Sequence, residues 1–229
     1  MSGEIGKRLA EVQARIRAAA ARSGRAPDAV RLVAVSKTVP VARIQEALAA
    51  GVTILGENRV QEARDKIRLL PGATWHLIGH LQTNKARLAV GLFALIHSLD
   101  SLRLAEELDR HGAQAGKTVR CLVEVNVGGE AQKSGLPAAE VPRLLAAARR
   151  LPALSIEGLM AIPPFHPDPE AVRPYFRALR ELRERLARDG FALPELSMGM
   201  SHDFEAAVEE GATMVRVGTA IFGERNAEG

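Results

Sequence analysis

The sequence is short of aromatic residues, of cysteine and of long apolar runs, and each shortage closes off a class of function. Aromatics make up 3% of the 229 residues, with one tryptophan (Trp75) and one tyrosine (Tyr175). That is too little to build a stacking platform for single-stranded nucleic acid. The lone cysteine, Cys121, cannot close an internal disulfide, and within "VRCLVEVNV" it reads as a small buried hydrophobe. No segment approaches the ~18 uninterrupted apolar residues of a membrane span. The N-terminal "MSGEIGKRLAEVQARIRAAAARSG" is charged throughout, where a secretory signal carries an apolar core. The charge imbalance is also small, 31 Lys+Arg against 27 Asp+Glu. The basic residues sit in helical stretches such as "RALRELRERLAR", interleaved with acids, as on solvated helix faces. These features predict a cytoplasmic protein with neither nucleic acid nor membrane as partner. Nothing in the pattern demands a second copy, so a monomer is expected.

What the sequence does have is a rhythm. A leading helix from about Ile5 to Arg22 places Ile5, Leu9, Val12 and Ile16 at three- and four-residue steps, and Gly24 and Pro27 close it. Strand-like runs then alternate with helical ones: "RLVAVSK", "VTILGE", "TWHLIG", "ALIHSLD", "VRCLVEVNV", "LSIEGLMAI", "ELSMGM" and "TMVRVG" are the strands. The helix from about Asp168 to Arg188 is the longest between them, and the last is reduced to "TAIFGE". Apolar strands alternating with helices form a parallel sheet covered by helices. Eight such units at this length predict a closed (β/α)8 barrel of the TIM type with an extra N-terminal helix. No Ser/Gly/Pro linker breaks the rhythm, so one domain is expected over residues 1–229.

In such barrels the reactive groups stand where strands end. Lys37 ends the first strand, and Glu57 and Asn58 end the second. His80 lies just past the third, Asn126 and Met160 near the ends of the fifth and sixth, Ser201 after the seventh, and Gly218 and Thr219 after the eighth. A lysine at the end of a buried strand has two readings. It snorkels, covering apolar surface with its stem, or it sits in a partly dry mouth where desolvation lowers its pKa and lets it form an imine.

"SMGMSHDFE" passes from strand through Gly199 into a helix, with Ser201 at the N-cap position. "VRVGTAIFGE" repeats the arrangement with Gly218 and Thr219. Taken singly, each is a cap or a turn. Together they fall in the two loops where barrels frequently hold phosphate, and they bring backbone N–H groups and hydroxyls to one point. Arg216 shares the strand face of Gly218 and is predicted to point inward. A guanidinium there needs a specific partner, either a ligand or a carboxylate such as Glu57 or Glu124. His76, in mid-strand, reads as a satisfied core residue, Lys85 as surface, and Trp75 and Tyr175 as packing anchors.

At these residues the chain resembles the pyridoxal phosphate homeostasis proteins. The matching segments are "LVAVSKT", "GENRVQEA", "WHLIGHLQTNK", "EVNVGGEAQKSG", "GLMAI" and "SMGMSHDFEAAVEEGATMVRVGTAIFG", which span almost the whole chain. The resemblance implies a barrel like the cofactor domain of alanine racemase. Lys37 would hold pyridoxal 5'-phosphate as a Schiff base, and Arg216 would face the pyridine nitrogen. Ser201, Gly218 and Thr219, with the amide of Met200, would hold the phosphate. Asn58, His80, Val35 and Met160 would neighbour the ring, although Asn58 with Gln61 three residues on also reads as a capping pair for the helix that follows. The resemblance further implies binding, buffering or delivery of the cofactor within the cell, with apo forms of pyridoxal phosphate-dependent enzymes as partners, and no metal. One departure stands out: many relatives carry a basic residue two after the Schiff-base lysine, where this chain has Val39. Lys133, in the loop after the fifth strand, remains available as a second amine.

Two catalytic readings compete with a holder of the cofactor. A small racemase needs a base on each face of the substrate carbon. The only tyrosine, Tyr175, falls on an outer helix, and a chain expected to end ten residues after Thr219 leaves no second domain to close over the site. An arginine opposite the pyridine nitrogen also weakens the ring as an electron sink. A Schiff-base aldolase acting on a phosphorylated sugar would place its lysine deep in a late strand, and it leaves Arg216 without a role. The sequence therefore favours a non-catalytic carrier, with a small pyridoxal phosphate enzyme such as an amino-acid racemase as the alternative.

Overall fold

The computed structural model describes residues 3–130 and 134–224; Lys133 lies outside them. Eight parallel strands, β1 (Arg31–Val35), β2 (Ile54–Glu57), β3 (Thr74–Leu77), β4 (Leu95–Leu99), β5 (Val119–Glu124), β6 (Leu154–Met160), β7 (Glu195–Met200) and β8 (Met214–Val217), close in chain order into a barrel. The expected (β/α)8 architecture is therefore present. β8 pairs back onto β1 with Arg216 opposite Val33. The helices are α1 (Glu4–Arg22), α2 (Val41–Ala49), α3 (Val60–Ile67), α4 (Ala86–Leu92), α5 (Leu102–Gln114), α6 (Val141–Ala148), α7 (Arg173–Arg188), α8 (Phe204–Glu209) and α9 (Thr219–Phe222).

The leading helix α1 buries the predicted stripe of Ile5, Leu9, Val12 and Ile16. It packs on α8 and α9, the two shortest helices, and so covers the side of the barrel they leave thin. Apolar residues between strands and helices form the main core. A separate apolar cluster, which includes Val33, Val35, Ile78, Leu122, Met160 and Met214, fills the barrel interior. Trp75 is buried and Tyr175 packs on the outer core, both as anchors.

The departures from the pattern lie at element ends. Residues before α7 form a separate 3-10 turn, Pro169–Val172, whose cap is Asp168 accepting from the Glu170 amide. Proline lacks an N–H and is tolerated only in a first turn, so Pro169 and Pro174 each open a new segment instead of extending one helix. α8 starts at Phe204, with Asp203 preceding it, so Ser201 is not its N-cap. The reason is chemical: the Ser201 hydroxyl is engaged elsewhere, as described below.

Candidate functional site

The strand ends open into a cavity of about 460 Å³. Lys37, Asn58, His80, Met200, Ser201, Arg216, Gly218 and Thr219 all line it, with Val35 and Ile78 as apolar wall. These eight of the residues singled out in the sequence thus meet in one place. Met160 does not join them; it is fully buried in the interior cluster below. Asn126 also turns away, its side-chain amide donating to the Glu130 carbonyl at 2.8 Å.

On one wall stands Lys37, half-buried just past β1. Its neighbours are tightly held. The Ser36 amide donates to the Gly56 carbonyl at 2.9 Å, and the Ser36 hydroxyl donates to Glu57 Oε1 at 2.6 Å. Thr38 is in the left-handed region at φ 61°, which is strained for a β-branched residue. Lys66 reaches from α3 to donate to the Ser36 carbonyl, Glu57 and Glu62. Burial pushes the Glu57 carboxyl up, against the pull of Lys66 and Ser36. At Glu62 burial acts in the same direction but is outweighed by the bonds from Lys66 and the Thr38 amide, so its carboxyl is held low.

Asn58 does not cap α3: Arg59 occupies the N-cap position, with no side-chain bond there. Asn58 is placed instead by close approach to β3. A Cβ at Gly79 would lie 2.5 Å from the Asn58 carbonyl oxygen and 2.7 Å from its Cα. His80 is exposed at the rim, its Nδ1 3.1 Å from the Asp100 carboxylate. Glu124, at the end of β5, is buried in the cavity wall. Burial, reinforced by Asp100 and opposed by Arg216 and His80, raises its carboxyl to about 7.

The opposite wall comes from the loops after β7 and β8. The Ser201 hydroxyl accepts from the Gly218 amide at 3.1 Å and from the Ala220 amide at 3.4 Å, which binds the two loops to each other. The Met200 amide, expected to face a phosphate, instead donates to Asp203 Oδ1 at 2.6 Å. That bond satisfies an amide which would otherwise be left open at the end of β7.

Arg216 points inward and is 3% exposed, as its strand face predicted. Neither candidate carboxylate binds it: Glu57 is taken by Lys66, and the bonds recorded for Arg216 go to the Ser197 hydroxyl at 2.7 Å and the Ala161 carbonyl at 2.8 Å. Burial lowers its guanidinium to about 10, against the pull of Asp203 and Glu124. From Ser197 the bonding continues to His97 Nδ1 at 2.9 Å, and from His97 Nε2 to His76 Nδ1 at 3.0 Å. Burial keeps both imidazoles neutral, His76 at about 4 and His97 well below its ordinary value. His76 is thus the satisfied core residue expected, but the chain it belongs to and the Lys66 cluster were not foreseen. For Lys66 the available signal was the Glu62–Lys66 spacing of four on a helix.

The sequence matches the family described as alanine racemase, N-terminal domain, over residues 8–226. It is 48% identical over 222 residues to a protein of Aquifex aeolicus named pyridoxal phosphate homeostasis protein, covering 96% of this chain and 97% of that one. A protein of the same name from Escherichia coli is 44% identical over 231 residues, with 97% of each chain covered. Among solved structures, PipY of Synechococcus elongatus with pyridoxal phosphate bound superposes with a TM-score of 0.84 at 41% identity, covering 96% of this chain and 100% of that one. An alanine racemase from Clostridium difficile shares the barrel at a TM-score of 0.72 and 14% identity, over 87% of this chain and 53% of that one. The chain belongs to the pyridoxal phosphate homeostasis protein family, within the wider family of alanine racemase N-terminal domains.

Proposed function

We propose that this protein binds pyridoxal 5'-phosphate at the barrel mouth and holds it for intracellular cofactor homeostasis, by buffering or delivery and without turnover of a substrate. One observation carries the reading: a lysine amine and a set of hydroxyl and backbone N–H donors face each other across one cavity of about 460 Å³. The donor set fits the group. Bound there, the cofactor supplies an aldehyde to the Lys37 amine. Ser201, Thr219 and the Gly218 amide would take the phosphate, and Val35 and Ile78 offer an apolar bed for the ring. Arg216 stays charged at neutral pH with its pKa near 10. Facing the ring nitrogen, the charged guanidinium would donate to its lone pair and disfavour a second positive charge there, so that the nitrogen would stay unprotonated.

That last point argues against carbanion chemistry. Tyr175 argues the same way: it lies on α7, packed against the outer core, and supplies no second base. Apo forms of pyridoxal phosphate-dependent enzymes are the proposed recipients, and a cytoplasmic monomer is the proposed form. Among the described residues no helix is long and apolar enough to cross a membrane, and no group of side chains is suited to hold a metal ion. One observation favours the enzyme alternative. Glu124 is a buried carboxyl in the cavity wall with a pKa near 7, which is where a general acid–base group operates.

The test is the near-visible absorption of the protein with pyridoxal phosphate, wild type beside Lys37→Ala, followed by a panel of D- and L-amino acids. A band that requires Lys37, with no amino acid converted, supports the holder. Conversion of an amino acid to its mirror image, lost in Glu124→Gln, makes the protein an enzyme. No band in the wild type overturns cofactor binding.

A further inference from the structure

We propose that Lys66, acting with Glu62, is a positioning residue for Lys37: the pair clamps the backbone on both sides of the reactive amine. The proposal rests on the reading of Lys37 as the residue that takes the cofactor. Lys66 lies on α3, outside the residues that line the cavity, and its side chain is only 10% exposed. Its ammonium has three donors and uses all of them, at 2.6 Å on the Ser36 carbonyl, 2.8 Å on Glu57 Oε1 and 2.7 Å on Glu62 Oε1. Ser36 is the residue before Lys37.

The residue after it, Thr38, donates its amide to the same Glu62 oxygen at 2.6 Å. Thr38 is exposed, so packing does not hold it, yet it sits at φ 61°. A threonine in that region needs a constraint: locally its hydroxyl donates to the Lys37 carbonyl at 2.6 Å and the Val39 amide closes the turn on the Ser36 carbonyl at 3.0 Å, and the Glu62 carboxylate adds the constraint from another element. Glu57 completes the unit from below by accepting from the Ser36 hydroxyl at 2.6 Å.

A buried charge cluster is a poor device for stability alone, because desolvation cancels much of the attraction. It is a good device for fixing one geometry. Without the clamp, relaxation of Thr38 would rotate Lys37 away from the facing wall. The two functions, stability and positioning, make different predictions, and a glycine distinguishes them. Glycine accepts a positive φ without strain, so Thr38→Gly removes the need for the clamp and leaves the fold's packing as it was.

The experiment uses the full chain. Lys66→Met strands the buried Glu57 carboxylate and is open to misfolding, so the informative variant is Glu62→Ala, with Glu62→Gln as the conservative control that can still accept from Thr38. The first readout needs no cofactor: the pH profile of Lys37 reductive methylation by formaldehyde, followed by mass spectrometry. The second is the release rate of pyridoxal phosphate from the loaded protein. The expected result is a shifted Lys37 labelling profile in Glu62→Ala and roughly tenfold faster release. Both should be restored in Glu62→Gln and in the Glu62→Ala/Thr38→Gly double variant, with the melting temperature of the double variant no higher than that of Glu62→Ala. An unshifted labelling profile in Glu62→Ala overturns the proposal. So does a shift that Thr38→Gly fails to restore, since that would assign the effect to the carboxylate's charge and not to the clamp. A wild type without a Lys37-dependent absorption band overturns the cofactor reading, and the labelling comparison still decides the positioning.

Discussion

The two walls of the cavity are built on opposite plans. Around Lys37 the structure uses charged groups paired with one another: one ammonium bonds two carboxylates, and the outer carboxylate holds a strained threonine at the surface. Around Ser201 and Gly218 it uses neutral donors, a hydroxyl and backbone amides from two loops. Even the support for Arg216 on that side is neutral, a serine followed by two uncharged imidazoles. The difference follows from what each wall has to hold. A backbone kept in a disfavoured conformation needs strong local bonds, and charge-assisted ones are the strongest available. A wall proposed to receive an anion needs donors with no competing acceptor charge, and Asp203 beside it is turned onto the Met200 amide.

The largest effects should come from removing what only one wall has. Lys37→Ala should abolish the Schiff-base band at every concentration of pyridoxal phosphate and leave only the absorption of the free aldehyde, while the opposite wall should still hold the molecule non-covalently. Equilibrium dialysis beside the spectrum separates the two. Gly79→Ala comes next. The added Cβ would lie 2.5 Å from the Asn58 carbonyl oxygen, a backbone atom that cannot swing aside, so the loop after β2 must shift. Overpacking of this kind costs about 1–3 kcal/mol, and urea denaturation should show a loss toward the upper end. A neutral result would mean that the Lys37 side of the cavity is softer than its charged cluster suggests.

The legibility of the sequence differed between these same two walls. The wall proposed to take the phosphate was readable because its residues, Ser201, Gly218, Thr219 and Arg216, stand in short motifs at strand ends, where local spacing and the barrel pattern decide position. What the sequence did not foresee there, the bond of the Met200 amide to Asp203 and the place of Ser201 outside the α8 cap, depends on which of several nearby partners each polar group takes. Only three dimensions settle that choice. On the other side Lys37 and Asn58 were readable as strand-end residues, but Lys66 looked like any lysine on an amphipathic helix. Its burial arises from where α3 packs beside β2, within reach of Glu57 and of Ser36 just past β1, and periodicity carries no information about that. The chain from Arg216 to His76 was hidden for the same reason: its members come from four different strands, and no local pattern links them.

That chain gives a further test of the neutral side, through pH. His76 has a folded pKa near 4 against about 6.5 in an unfolded chain. Between those values the unfolded state binds more protons, so stability is full above pH 6.5 and falls as pH drops toward 4. From pH 6.5 to 5 the loss from His76 alone should be about 1.5 kcal/mol, and His97 acts in the same direction. Urea midpoints at the two pH values measure it. His76→Gln, which keeps a partner for His97 but does not titrate, should flatten the dependence. If the slope persists, the acid sensitivity belongs to His97, because Glu57, pushed up by burial, favours the folded state as pH falls and Glu62, held low, loses its contribution only below the ordinary carboxylate range.

The smallest expected effect is also the most selective. Ser201→Ala removes the hydroxyl that accepts from the Gly218 and Ala220 amides. The protein loses a bridge between its two loops, but the amides themselves stay in place and can still turn to an anion. The net change in affinity for pyridoxal phosphate should therefore be modest, roughly fivefold or about 1 kcal/mol. The informative control is pyridoxal, which has the aldehyde and lacks the phosphate. Its affinity should not change in Ser201→Ala, whereas Lys37→Ala should remove the near-visible band with both ligands. If Ser201→Ala weakens pyridoxal as much as its phosphate ester, the neutral wall shapes the ring pocket, and the division of labour between the two walls fails.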